Sequence, residues 1–397
     1  MVVDTLPCGT TETQSIAPDR SYVLYRPTRA CTSTAQDTLP LVLALHCLGC
    51  SSKTLLFWTE LAEEYHFLLA IPEGKYNSFN AKACCGKAQE RNVDDVGFLE
   101  QLIQDVVKQH SQQSIQVSPD VVYAVGWSNG AYMATYAAHL FRAIAPISGF
   151  QVDPIQAPLS HPVGLFQHHA VDDSFVRIGG CCSNNASMPP CCCGLGQLSP
   201  QCTSVQDHFG YWKSVNCKDA SSSVATTDIT TVHHLTSPDS SSSSITCWSA
   251  TGCQANTTLC RHSTGGHFNR PSLQRAFPMM DAIADFFARD ACMLQQGTWS
   301  SELRKCVCAN TQQTATYCWA LDSQQKLEKS AFSQQQSPSW SISGPVFLCV
   351  AGVVCSLFVV LRRRRIQQRQ TYDPVSTIEM LTAPSRRIVT SPPRRLS

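Results

Sequence analysis

The sequence predicts an α/β fold with a mostly parallel central sheet, and two observations carry that reading. From about residue 20 to residue 290, short apolar runs alternate with stretches of helical periodicity. One of those runs, Val121 to Val125, leads directly into Gly126-Trp-Ser128-Asn-Gly130 and then into the helix-compatible stretch Ala131 to Leu140, a strand, tight turn and helix in sequence.

Leu41 to Leu45, Phe67 to Ile71, Val121 to Val125, Ala143 to Ile147 and Val163 to Phe166 are the candidate strands. Helices are expected between them. Phe98, Leu99, Leu102, Ile103, Val106 and Val107 recur at spacings of three and four after Asp94 and Asp95, an acidic start that suits a helix N-terminus. Met279 to Ala288 is a last amphipathic stretch, expected to pack on the sheet.

Two stretches break the rhythm. Residues 181–202, with six cysteines and no periodicity, read as a loop stapled by disulfides, and the Ser/Thr-rich residues 219–246 read as a solvated insertion. The catalytic-type region is thus bounded at 8–290. A small disulfide-rich module at 291–320, carrying Cys292, Cys306, Cys308 and Cys318, follows it, and a Gln/Ser-rich stalk at 321–340 comes next.

Cysteine is the strongest compositional signal. Of 22 in the chain only Cys349 and Cys355 lie in the apolar run 342–361, and the spacings of the others do not repeat a zinc-type CxxC pattern. An oxidising compartment and disulfides are therefore expected. Asn185-Ala-Ser and Asn256-Thr-Thr are candidate glycosylation sites and fit an extracellular location. Ile342 to Leu361 holds no charge and, at about 1.5 Å per residue, is long enough for the roughly 30 Å of a bilayer core. Arg362 to Arg365 follow at once, which places the 362–397 tail in the cytoplasm and the bulk of the chain outside. That topology calls for a signal peptide, which MVVDTLPCGTTETQS does not resemble, so a longer upstream reading frame is expected.

A net charge of +1 hides nine Arg after residue 361 against Asp373 and Glu379. With that tail set aside, no basic footprint for nucleic acid is left.

The chemistry centres on Ser128. A nucleophile elbow needs small residues two before and two after the serine, because the turn is too tight for side chains there, and it exposes the hydroxyl. A serine hydroxyl also needs a base, and hydrolases of this fold supply an acid and then a histidine later in the chain. Val163 to Phe166 leads to Asp172-Asp173, which places a carboxylate just past a strand end, where an orienting acid belongs. His267, on the glycine turn Gly265-Gly266, is taken as the base. His262, His168 and His169 are rival bases and are set aside. Backbone donors for the oxyanion are expected from Asn129 and from Cys47 or Leu48 in the loop after Leu45. No metal or cofactor is required by this chemistry.

These motifs, taken together, resemble the secreted polyhydroxybutyrate depolymerase and feruloyl esterase family of α/β-hydrolases. Arg20-Ser-Tyr-Val-Leu-Tyr-Arg-Pro27 resembles its opening strand, and LVLALHCLG resembles its oxyanion loop. Phe79-Asn-Ala-Lys-Ala-Cys84-Cys85-Gly86 with Val93-Asp-Asp-Val-Gly-Phe98 is the most specific marker. GWSNGAYM, AIAPISG, HHAVDD, Tyr211-Trp-Lys-Ser-Val-Asn-Cys217 and the late GGH extend the likeness over about residues 20 to 290.

The resemblance implies Ser128 as nucleophile, Asp172 as acid and His267 as base. It also implies cleavage of esters at or near polymers, either feruloyl or acetyl groups on plant polysaccharide or hydroxyalkanoate polyester. The expected protein is an α/β-hydrolase followed by a small Cys-rich module and a single transmembrane helix, acting as a cell-surface serine carboxylesterase. Two alternatives share the scaffold: a catalytically silent surface receptor and a serine peptidase.

Overall fold

Strands that are apolar without alternation must be covered on both faces, and the sheet is built from such strands. In the computed structural model, residues 7–32, 37–82, 84–110, 115–151, 159–180, 204–217, 233–236, 244–267, 279–294, 297–300 and 305–308 are described. Asn185, the expected insertion at 181–202, the stalk, the 342–361 run and the basic tail lie outside them. Among the described residues no helix is long and apolar enough to cross a membrane.

In chain order the elements are β1 (Thr11–Ala17), β2 (Arg20–Tyr25), α1 (Thr28–Thr32), β3 (Asp37–Leu45), α2 (Trp58–Tyr65), β4 (Leu68–Pro72), α3 (Lys87–Glu90), α4 (Asp95–His110), β5 (Ile115–Trp127) and α5 (Asn129–Tyr136). Then come β6 (Ala143–Ile147), β7 (Gly164–Ala170), α6 (Val205–Asn216), β8 (His233–Thr236), β9 (Ser244–Ala250), β10 (Thr257–His262), α7 (Met279–Leu294), β11 (Gly297–Ser300) and β12 (Lys305–Cys308).

Ten strands form one sheet in the order β1-β2-β4-β3-β5-β6-β7-β10-β9-β8. From β4 to β10 every neighbouring pair is parallel. The flanks at both ends are antiparallel. This mostly parallel sheet is consistent with an α/β-hydrolase architecture.

The five expected strands are β3 to β7 of the sheet, with altered ends. One change bears on the site: β7 runs on from Phe166 through His169 to Ala170 because its polar residues 167–169 are fully buried between neighbouring layers. The Ser/Thr-rich stretch is not wholly a solvated insertion. His233–Thr236 pairs with Ser244–Ala250, and the latter pairs in turn with β10, closing the far edge of the sheet. Regular β pairing of backbone groups there outweighs a composition that reads as loop.

Helix periodicity is realised as expected in α4, where Phe98, Leu99, Leu102 and Val106 are buried on one face. The helix α7 is longer than the expected 279–288, continuing to Leu294 and docking on β5 through a Tyr123–Phe287 ring stack at 4.8 Å and a Tyr123 hydroxyl bond to Asp290 at 2.9 Å.

Six disulfides lie among the described residues. Cys8–Cys31 braces the N-terminal strands, Cys247–Cys260 joins the paired strands β9 and β10, and Cys217–Cys253 ties α6 to the turn between those strands. Cys292–Cys306 links α7 to the β11–β12 hairpin, so the short module expected at 291–320 begins inside α7. Cys47–Cys50 and Cys84–Cys85 flank the site described next.

Candidate active site

Ser128 sits between β5 and α5 with φ 54° and ψ −116°, a conformation that non-glycine residues adopt only where the surroundings hold them in it. Those surroundings are close-packed. A Cβ at Gly126 would overlap the Gly130 carbonyl, and one at Gly130 would overlap the Leu45 carbonyl, so the two glycines of the motif are what let strand, turn and helix approach. The backbone N–H of Ser128 donates to the Ile147 carbonyl at 2.9 Å, fastening the elbow to β6.

From the other side, the C-terminal ends of β7 and β10 deliver the histidine and its acid. His267 Nε2 accepts from the Ser128 hydroxyl at 2.8 Å. Its Nδ1 lies 3.0 and 3.1 Å from the two carboxylate oxygens of Asp173. A carboxylate only accepts, so Nδ1 carries the proton and Nε2 presents the lone pair to the serine, the tautomer that a general base requires. Gly266, at φ 64°, turns the chain into position for His267.

The acid is therefore Asp173 by position, and Asp172 does not meet the imidazole. Asp172 is exposed and accepts from the Gly266 backbone N–H at 2.7 Å. Strand β7 ends at Ala170, and the turn after it points Asp173 inward and Asp172 outward. The Asp173 side chain has no exposed surface, and its Oδ1 takes the backbone N–H groups of Phe175 and Val176 at 2.9 and 2.8 Å. Two neighbouring aspartates thus grip two neighbouring residues of the histidine loop, one its backbone and one its ring.

The rival histidines lie in the interior. His168 and His262 pack edge to face at 4.2 Å, and burial lowers both, His262 to about 4. Neither bonds Ser128. His169 donates from Nε2 to the Val176 carbonyl at 2.7 Å.

Asn129 opens α5 directly after the serine. Its side chain, which sequence reasoning had not singled out, pairs with the backbone of Phe79 as a strand would: Oδ1 accepts from Phe79 N–H at 2.7 Å and Nδ2 donates to its carbonyl at 2.9 Å. The same Nδ2 lies 3.5 Å from Cys85 Sγ, beside the Cys84–Cys85 disulfide. Cys47 is buried and bonded to Cys50. Its carbonyl faces His46 Nδ1 at 2.9 Å and accepts the Cys50 N–H at 3.1 Å. Because a trans peptide is planar, the N–H of Leu48 points the opposite way from that carbonyl. The His46 ring is fixed from its other side by the Gly74 N–H at 2.9 Å, and burial lowers its pKa, keeping it a neutral prop beneath the loop.

Phe175 covers one face of His267 at 5.1 Å while itself half exposed. Among the described residues no group of three or more His, Cys, Asp or Glu is placed to hold a metal ion. The arrangement of hydroxyl, imidazole and carboxylate is that of an activated nucleophile.

No family model and no curated protein matches the chain. Solved structures do. An acetyl xylan esterase from Aspergillus awamori is 13% identical over 68% of this chain and 100% of its own, with a TM-score of 0.41. A phospholipase/carboxylesterase from Dyadobacter fermentans is 14% identical over 52% of this chain and 84% of its own, with a TM-score of 0.32. An S-formylglutathione hydrolase from Staphylococcus aureus is 12% identical over 42% and 78%, with a TM-score of 0.31. Likenesses of this degree bear on neither activity nor substrate, for which the site itself is the guide.

Proposed function

We propose that the protein is a serine carboxylesterase that works through an acyl-enzyme on Ser128. The observation that carries this reading is the Ser128–His267–Asp173 relay, with both links at hydrogen-bond distance and the serine held in a strained elbow. In the first half-reaction His267 takes the Ser128 proton as the oxygen attacks the ester carbonyl, then returns it to the departing alcohol. Water repeats the sequence in the second half and releases the acid. Asp173 orients the imidazole and stabilises its cation. The backbone N–H groups of Asn129 and of Leu48 or Cys47 are the donors assigned to the oxyanion.

The sequence motifs shared with polyhydroxybutyrate depolymerases and feruloyl esterases favour esters at or near polymers, either feruloyl or acetyl groups on plant polysaccharide or hydroxyalkanoate polyester. The uncharged run 342–361 followed by Arg362 to Arg365 favours display on the outside of the cell by one membrane helix, with sequon asparagines Asn185 and Asn256 on the outer side. Asn256 is exposed.

A fluorophosphonate probe tests the reading directly. It should label Ser128 in the wild-type protein and leave Ser128→Ala unlabelled. That variant should lose several orders of magnitude of turnover on methyl ferulate, acetylated xylan or short hydroxybutyrate esters, as removal of a triad member does elsewhere. Folded wild-type protein that takes no label would favour a binding role for the scaffold.

A further inference from the structure

Asp173 is held by more than the turn it belongs to. Its Oδ1 is fixed by two backbone N–H groups, and its Oδ2, besides His267, lies 3.5 Å from His169 Nε2. The same Nε2 donates to the carbonyl of Val176 at 2.7 Å. A carbonyl only accepts, so the proton of His169 sits on Nε2 and points to Val176. Val176 is also the residue whose N–H caps Asp173 Oδ1, so the imidazole N–H holds the residue that caps the acid.

His169 lies one residue before the end of β7, on the rigid sheet, whereas Asp173 lies on the turn beyond it. The ring is fully buried, with Phe150 edge-on at 5.6 Å, and His208 of α6 is tilted against the same Phe150 at 5.4 Å. The ionisable groups that bear on it are Asp173, His267, the adjacent His168 and His208. Its Nδ1 has no hydrogen-bond partner among the described residues, and burial lowers its pKa, so the ring is neutral and donates only from Nε2.

We infer that His169 is a positioning residue. By fastening Val176, whose N–H caps the Asp173 carboxylate, to the end of β7, it sets the angle at which the acid meets His267. This rests on the esterase reading for its catalytic consequence, but the geometry itself is independent of it. Without that N–H the 171–176 turn is free to shift, and a displacement of about 1 Å in a supporting group costs on the order of a hundred-fold in rate.

The test pairs two substitutions in the full-length protein: His169→Phe, which keeps a ring against Phe150 but has no donor, and His169→Gln, whose amide N–H reaches in the same direction. The first readout is the downfield proton resonance of His267 Nδ1–H, which reports its bond to Asp173 whether or not the protein turns over any ester. It should broaden or vanish in His169→Phe and return at least in part in His169→Gln. The second is kinetic. In His169→Phe, kcat should fall about ten- to a hundred-fold with KM within about two-fold, and the acid limb of kcat/KM should move to lower pH as the carboxylate lets go of the imidazolium.

An unchanged His267 resonance in folded His169→Phe overturns the inference. So does equal loss of the resonance in both variants, since Gln retains the donor. If His169→Phe does not fold, a normal resonance in folded His169→Ala serves the same refuting purpose. Failure of the esterase reading is a different result: a wild type with the resonance intact but no labelling by fluorophosphonate.

Discussion

The two halves of the site are built on different principles. The serine half is local. Gly126, Ser128, Asn129 and Gly130 are consecutive or nearly so, and their close approach to Leu45 and Phe79 leaves little room for another arrangement. The acid–histidine half is assembled from β7, the turn after it and a loop 94 residues further on. Its geometry depends on where a strand ends and on which of two adjacent carboxylates turns inward. A local constraint can be read from a short motif; a distributed one needs the fold.

Exchanging the two aspartates breaks or sharpens that comparison most. Asp173→Asn should lower kcat by about 10³ to 10⁴-fold, the scale on which a triad loses activity when its orienting carboxylate is neutralised. Asp172→Asn should stay within about three-fold of wild type, since an amide oxygen still accepts from Gly266. Steady-state kinetics on one soluble ester decides between them, and the reverse ranking would return the acid to Asp172.

On the serine half, Asn129→Ala should act on stability as well as rate. It strands the Phe79 N–H and carbonyl inside the protein, at about 1–3 kcal/mol for each unpaired group, measurable by chemical denaturation. A loss below 1 kcal/mol would mean that water replaces the amide.

The last expected effect concerns pH. His208 and His262 are held neutral by burial, lowered to about 3 and about 4, while in the unfolded chain each takes up a proton near 6.5. The stability they contribute is complete above pH 6.5 and is lost as pH falls toward 4, at about 1.4 kcal/mol per pH unit for each histidine. Replacing His262 by Phe should flatten that slope in thermal melts between pH 6.5 and 4. An unchanged slope would show that other groups govern it.

How far the sequence reaches follows the same division. The strand cores, the amphipathic face of α4 and the elbow at Ser128 were legible because each rests on a short-range pattern: apolar runs, three- and four-residue spacing, and two glycines. His267 was legible from its glycine approach. Asp173 was not, because β7 extends past Phe166 through Gln167, His168 and His169, polar residues that composition assigns to a loop and that only burial against Phe150 and His262 explains. The side-chain clamp of Asn129 on Phe79 spans 50 residues and leaves no trace in either segment alone.

One contact at the opposite end of the chain has a practical consequence. Asp95, at the start of α4, pairs in the interior with Arg20 at 2.6 Å through one carboxylate oxygen and accepts the Asn80 N–H at 2.7 Å through the other. Asn80 follows directly on the Phe79 that Asn129 clamps. A recombinant fragment trimmed past Arg20 would therefore leave a buried anion without its countercharge, a loss of about 3–5 kcal/mol, on the segment that borders the nucleophile. Expression boundaries for this protein belong upstream of Cys8, where the cystine with Cys31 keeps β2 in place.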